Sequence, residues 1–440
     1  MTSLSRQAQP DAAHASALAV MVADAAPRCR SLAALLRRVP GAYPGDVLAI
    51  VDHLTADRLL DPATCRRLRI PGSAGDENHD DGLPLPAPHP LDYDWRWDPG
   101  TVRMLLARCI RATRPGDTIA LLGTPTLLAA AARSRERRWV LLEASEATAA
   151  AVASHYPAEV VRCDLASDEL PQVHAQAVVA DPPWYPGDTR VFLWAAARLS
   201  VPGAVVLLAQ PTPATRPGVL AERASTLSFA HRTGLDVTGL RPAALAYVSP
   251  PFERAALDAA GLLPLVPLTW RRGDLIELRS TGSPPAARPQ APREGNWREV
   301  TLDGARIRFR LDAPAREGTP ADPRLVPLVS GDIMPAVSRR DPVRGQIRVW
   351  TAGNRVFGCQ APALLARLAA ALASGDCPGS TLAAHLGHPL DPVEDRAATA
   401  AVRQPGELAR AEQRTAAMTV AAALPSAAIR TRALTARSTP

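Results

Sequence analysis

The chemistry legible in this 440-residue chain concentrates in five consecutive residues, Asp181-Pro182-Pro183-Trp184-Tyr185. They follow an apolar run, Ala177 to Ala180, that reads as a buried strand, which puts them at the carboxyl edge where open α/β sheets bind ligands. The two prolines stiffen the turn and remove two amide donors, so their carbonyl oxygens can face outward as acceptors. The Asp181 carboxylate and the Pro182 carbonyl are then placed to accept the two N–H groups of an exocyclic amine. The lone pair of such a nitrogen is delocalised into its ring, and two acceptors on its hydrogens favour a tetrahedral, nucleophilic geometry. Trp184 offers a face on which a base can stack, and Tyr185 extends the substrate side. Asp181, Pro182, Pro183 and Trp184 are therefore the expected catalytic set.

Three further residues stand at strand ends in register with this turn. Gly123 closes the run Ile119-Ala120-Leu121-Leu122. Glu143 closes Trp139-Val140-Leu141-Leu142 about 20 residues later, the spacing at which an acid meets ribose hydroxyls in dinucleotide folds. Asp164 follows Val160-Val161-Arg162-Cys163.

The segment Val178-Val179-Ala180-Asp181-Pro182-Pro183-Trp184 resembles the (D/N)PP(Y/F/W) signature of N6-adenine methyltransferases, here a DPPW motif. The resemblance spans about residues 91 to 280. It implies a Rossmann-like class I sheet and S-adenosylmethionine (SAM) as cofactor, bound by Gly123, by Glu143 on the ribose and by Asp164 near the adenine. It also implies methyl transfer to adenine N6, with DNA or RNA as partner. The glycine loop precedes the DPPW turn, so the motif order is unpermuted. After Gly123 stand Thr124, Pro125 and Thr126, where the family supplies more glycines. A second resemblance is to the branched-chain polyamine synthases, aminopropyltransferases with a single-glycine loop and a DPP turn. In those, acids directly after the glycine hold a polycationic substrate. Thr124-Pro125-Thr126 and the net charge of +7 point away from such a substrate. A degenerate fold acting as a nucleic-acid-binding adaptor is the non-enzymatic alternative.

Apolar runs alternating with helical patterns carry these residues. Strands are expected at Thr118–Leu122, Trp139–Leu142, Val160–Cys163, Ala177–Ala180, Ala204–Ala209, Ala243–Val248 and Asp274–Arg279. Helices are expected at Leu127–Arg135, Glu146–His155, Arg190–Leu199 and Pro217–Thr233, which gives a doubly wound α/β domain over 91–280. Its opening segment, LDYDWRWDPG (Leu91 to Gly100), is unusually aromatic for this chain, with Asp98-Pro99 as a helix cap and first turn. Trp95 and Trp97 are expected to pack there. Residues 1–70 read as a small module with a loose start, a short apolar-basic pattern from Ser31 to Arg38 and a helix near Asp46–Leu60. A winged helix and a plain helical cap fit it equally. Linkers are expected at 71–90 and, Pro-rich, at 281–295.

Residues 296–385 read as a small α+β module, with strands Val300–Leu311 and Ile347–Phe357, the latter turning at Gly353-Asn354, and a helix Ala361–Ala373. The stretch from 386 to 440 reads as partly helical and partly disordered. Between Arg293 and Arg355 there are 12 Arg and 8 acids, so more than half of the net charge lies there. Arg339, Arg340 and Arg355 are the expected phosphate contacts. Ser249-Pro250-Pro251-Phe252-Glu253 reads as a rigid loop or a far pocket wall.

All 50 basic residues are Arg; the absence of Lys excludes Schiff-base and P-loop lysine chemistry. The six cysteines form no CxxC pair, His155, His174 and His231 lack partners at ligand spacing, and no metal is assigned. Nothing reaches the length of a membrane span, and a cytoplasmic location is expected.

Overall fold

A computed structural model describes residues 4–71, 85–131, 136–283, 287–291, 295–311, 323–386 and 388–423. The chain begins as a helical module: α1 (Leu4–Ala25), α2 (Leu32–Leu36), α3 (Pro44–Ala56) and α4 (Pro62–Leu68). Helix α1 starts at Leu4, where the sequence reads as loose, and no strand occurs among residues 4–71, so the described module has no wing. Ser31 caps α2 by accepting the Ala34 N–H, and Asp61 caps α4. The apolar stripes of these helices, including Leu32, Leu36, Val47 and Val51, share one core with Leu257, Val266 and Trp270 of the next domain.

That domain contains β1 (Arg96–Trp97), α5 (Pro99–Ala112), β2 (Thr118–Leu122), α6 (Pro125–Ala131), β3 (Arg138–Glu143), α7 (Glu146–His155) and β4 (Glu159–Arg162). It continues with β5 (Ala175–Ala180), α8 (Pro186–Leu199), β6 (Ser200–Pro211), α9 (Val219–Arg232), β7 (Leu235–Val248), α10 (Pro251–Ala259) and β8 (Arg271–Ser280). The sheet order is β1-β7-β8-β6-β5-β2-β3-β4. Strands β2 to β6 pair in parallel, and β8 runs antiparallel between β6 and β7. This is a Rossmann-like class I methyltransferase sheet. Helices cover both faces, so β2, β3 and β5 are apolar on both sides, as buried parallel strands must be. The order reverses between β2 and β5, whose carboxyl ends carry Gly123 and Asp181. Residues 132–135 of the helix expected at Leu127–Arg135 lie outside the described residues, as do 72–84 of the first linker and 284–286 and 292–294 of the second.

The remaining elements are β9 (Trp297–Leu302), β10 (Ala305–Arg310), β11 (Val326–Pro327), β12 (Val349–Thr351), β13 (Val356–Gly358), α11 (Pro362–Ser374), α12 (Pro378–Leu386) and α13 (Pro392–Ala423). The single strand expected at Val300–Leu311 is a hairpin. Its turn is Asp303-Gly304, with φ of +48° and +80°, the left-handed pair that a two-residue hairpin loop requires. The tail is more ordered than its composition suggests: α13 buries Leu408, Ala409 and Glu412 against the module, and Glu412 accepts from the Thr351 hydroxyl at 2.8 Å. Residues 424–440 lie outside the described residues. Among the described residues, no helix is long and apolar enough to cross a membrane.

Candidate active site

Strand β2 ends at Leu122 and turns through Gly123 at φ +63° straight into α6, a backbone conformation that L side chains rarely adopt. The Gly123 N–H donates to Leu142 O (3.0 Å), and the Asp181 N–H donates to Leu122 O (3.3 Å), so the ends of β2, β3 and β5 are tied together. They open onto a cavity of about 520 Å³. Gly123, Glu143 and Asp164 line one part of it, and Asp181 and Pro183 line another. The sequence therefore brought the two halves of the expected site to one place.

Glu143 lines the cavity and accepts the Ser145 N–H at 2.8 Å through Oε1, and burial pushes its carboxyl up to about 7. Asp164 accepts from Ala166 N (2.9 Å) and from the Ser167 hydroxyl (3.0 Å), which fixes both oxygens at the mouth. Asp181 is held by Tyr247 of β7, whose hydroxyl donates to Asp181 Oδ1 at 2.8 Å. Burial raises the Asp181 carboxyl well above the usual range. The Tyr247 bond opposes that rise, the Asp94 carboxylate adds to it, and Arg271 opposes it. Tyr247→Phe removes the opposing bond, so the Asp181 carboxyl should rise further. If that carboxylate must be ionised, activity falls as pH drops through its pKa. The acid limb of a kcat/KM profile is accordingly expected at higher pH in the variant than in wild type.

Pro182 is buried and does not line the cavity. Trp184 does not line it either: its ring stands edge-on to Tyr247 (centroids 5.4 Å), and the Arg271 guanidinium lies 4.6 Å from its centre. The same guanidinium lies 3.9 Å from the centre of Trp95, so it is stacked between two indoles. The Trp184 face expected to receive a base is occupied by Arg271. Trp97 is buried, as a packing residue, whereas Trp95 lines the cavity and packs edge-on against Phe252 (5.6 Å).

The other wall comes from residues that sequence reasoning passed over as site residues. Asp92, Tyr93 and Asp94, just before β1, and Asp188, in the first turn of α8, line the cavity. Tyr93 sits at φ +54°, a strained position for a bulky residue that the surroundings must over-determine. Its hydroxyl accepts from Arg339 Nε (2.7 Å), and the Arg339 guanidinium lies over the rings of Tyr93 and Tyr185 at 4.4 and 4.6 Å. Arg339 also pairs with Asp188, and its backbone N–H donates to the Tyr185 hydroxyl at 3.0 Å. A loop of the C-terminal module thus closes one side of the mouth.

Arg339 lines the cavity, but Arg340 and Arg355 do not. Arg340 pairs with Glu222 (2.6 Å), and Arg355 pairs with Asp332 and Glu412 inside the C-terminal module. Arg306 and Arg308 likewise pair with Asp92 and Glu299. The arginine surplus of this module is largely turned inward on acids. The aromatic content of Leu91 to Gly100 marked that segment in the sequence but not its acids as site residues; Asp188 and Tyr247 carried no signal, because only the fold brings them here.

Ser249-Pro250-Pro251-Phe252-Glu253 forms the turn into α10 and does not line the cavity. Glu253 is 3% exposed, and burial pushes its carboxyl up to about 7. The folded protein therefore holds this proton more tightly than the unfolded chain does. The resulting stability is fully present below the unfolded pKa and is lost as pH rises through the folded one. Glu253→Gln should remove about 3 kcal/mol of that pH-dependent loss, read from urea midpoints at about pH 4 and about pH 8.

The sheet order is that of a Rossmann-like class I methyltransferase fold, with a cavity at the switch point. No protein-family profile matches the chain, and no curated protein matches it. Among solved structures it is similar to the C9 mutein of the branched-chain polyamine synthase from Thermus thermophilus, in complex with N4-aminopropylspermidine and 5′-methylthioadenosine. That likeness is 20% identity over 65% of this chain and 95% of that chain, with a TM-score of 0.49. The unmutated synthase is similar at 21% identity over 63% and 90%, TM-score 0.46. TrmN from Thermus thermophilus is similar at 15% over 40% and 48%, TM-score 0.28.

Proposed function

We propose that this protein transfers a carbon group from an S-adenosylmethionine-type sulfonium nucleoside to an amine nitrogen held at Asp181. The observation that carries this reading is one continuous cavity joining Gly123, Glu143 and Asp164 to Asp181 and Pro183. The donor set suits a nucleoside: the Glu143 carboxyl lines the cavity where it would accept from ribose hydroxyls, and a bare glycine lets the backbone approach. When bound, the sulfonium supplies an activated carbon whose S–C bond breaks as the N–C bond forms, leaving a neutral thioether. The protein's own task is to align the amine and strip it of water and of a proton. An alkyl amine arrives as an ammonium ion and is nucleophilic only after losing that proton. A buried carboxylate with a raised pKa, such as Asp181, is a better proton acceptor than an exposed one.

The lining of the pocket supports one acceptor over the other. Asp92, Asp94, Asp181 and Asp188 line the cavity; Asp92 pairs with Arg306 and Arg308, Asp94 with Arg96 and Asp188 with Arg339, which leaves Asp181, of these four, with no ion pair among the described residues. This favours a small cationic amine, such as an aliphatic polyamine, receiving a methyl or aminopropyl group. Adenine N6 in nucleic acid, the acceptor implied by the DPPW motif, would bring phosphates toward a pocket whose charged lining residues are carboxylates except for Arg339, and would meet a Trp184 ring on which Arg271 is already stacked. The net charge of the chain does not describe its pocket. The test is product mass after incubation with SAM or decarboxylated SAM and either spermidine or adenine-containing DNA and RNA. Mass added to spermidine supports the reading. Methylated adenine with unmodified spermidine would replace it with the N6-adenine reading.

A further inference from the structure

Far along the sequence from the acceptor pocket, the helical module carries a second concavity, of about 540 Å³, lined by Arg28, Cys29, Arg30, Ser31, Ala34, Arg37 and Arg38. We infer that this is a binding site for the phosphate groups of a polyanion. The residues are gathered by the fold: Leu32, Leu35, Leu36 and Val39 drive one side of α2 into the core, so the arginines flanking the helix emerge together. Between Arg28 and Arg38 the sequence contains no acid. Arg28 pairs with Asp24, whereas the guanidiniums of Arg30, Arg37 and Arg38 meet no protein acceptor among the described residues. Arg67 adds a further charge behind them, donating to Cys29 O at 3.0 Å. Burial pushes the Cys29 thiol up, and Arg38, Arg28, Arg37 and Arg67 pull it back, which sets four guanidinium charges around one turn of chain.

Elsewhere this protein matches its clustered arginines with acids, as at Arg216–Glu222, Arg223–Asp274 and Arg306–Glu299. Three unmatched guanidiniums at one concavity repel each other, and a multiply charged oxyanion with several acceptor oxygens relieves that. The Ser31 hydroxyl oxygen accepts the Ala34 N–H (3.2 Å), which leaves its proton to donate outward. The ligand is thus a phosphate chain, free or in a nucleic-acid backbone. This assignment is independent of the reaction at Asp181.

Two titrations separate the sources: inorganic tripolyphosphate by calorimetry, and a fluorescein-labelled DNA duplex by anisotropy, each across a salt series. The Arg30→Ala/Arg37→Ala/Arg38→Ala protein is compared with wild type and with Arg103→Ala, an exposed arginine on α5. Binding of either probe should weaken by about tenfold or more in the triple variant and hold in Arg103→Ala. For duplex DNA, the slope of log affinity against log salt should shrink by about 3 units. Tripolyphosphate binding alone identifies a free oligophosphate ligand, and duplex binding alone identifies a backbone. Failure of wild type to bind either probe, or equal binding by triple variant and wild type, overturns the inference. Unchanged melting of the variant shows that any loss is not unfolding.

Discussion

Asp181→Asn should lower kcat by about two to four orders of magnitude, the range for removing a positioned proton acceptor, while leaving donor affinity unchanged. The amide keeps an oxygen for the Tyr247 hydroxyl, so the turn and its neighbours can stay in place. What disappears is the capacity to take a proton from an arriving ammonium ion. Single-turnover transfer followed by product mass, alongside donor titration, separates the two effects. A variant that binds donor and still turns over at the wild-type rate would remove Asp181 from the chemistry. The contrast with Tyr247→Phe is informative, because that change moves the pH at which Asp181 works and leaves its carboxylate intact.

Glu143→Ala is expected to strike the other half of the pocket. A carboxylate accepting from ribose hydroxyls makes charge-assisted hydrogen bonds worth roughly 1.5–3 kcal/mol, so donor affinity should fall by about tenfold to a hundredfold. Its pH dependence has a defined sign. The Glu143 carboxyl is pushed up to about 7 by burial, so it is protonated below that pH and accepts hydrogen bonds more weakly. Donor affinity of wild type should therefore rise as pH increases through about 7. Calorimetric donor titrations on either side of that pH, in wild type and variant, check both statements; a flat profile in wild type would contradict the assignment.

The parts of the fold buried on two faces were the parts legible in the sequence. Strands β2, β3 and β5 are continuous apolar runs ending in Gly123, Glu143 and Asp181, and their boundaries fall within a residue or two of expectation. Strand β7 was half legible: Ala243 to Val248 is apolar, but Leu235 to Arg241 presents Asp236, Thr238 and Arg241 to solvent and lacks that signal. Helix α13 reads as tail because its contacts, through Leu408 and Glu412, are few and distant in sequence. The acidic wall was the largest omission. Asp92, Asp94 and Asp188 are separated by almost a hundred residues and meet only because the segment before β1 and the first turn of α8 line the same cavity. Composition gave no hint of it, since several of the arginines that set the net charge pair with these same acids.

Calorimetric titration of the protein with SAM and with its decarboxylated form tests the central claim most directly. The account predicts saturable one-site binding of at least one of them at micromolar concentrations, lost or strongly weakened in Glu143→Ala and retained in Asp181→Asn. Absence of binding by both nucleosides at high micromolar concentration would contradict it.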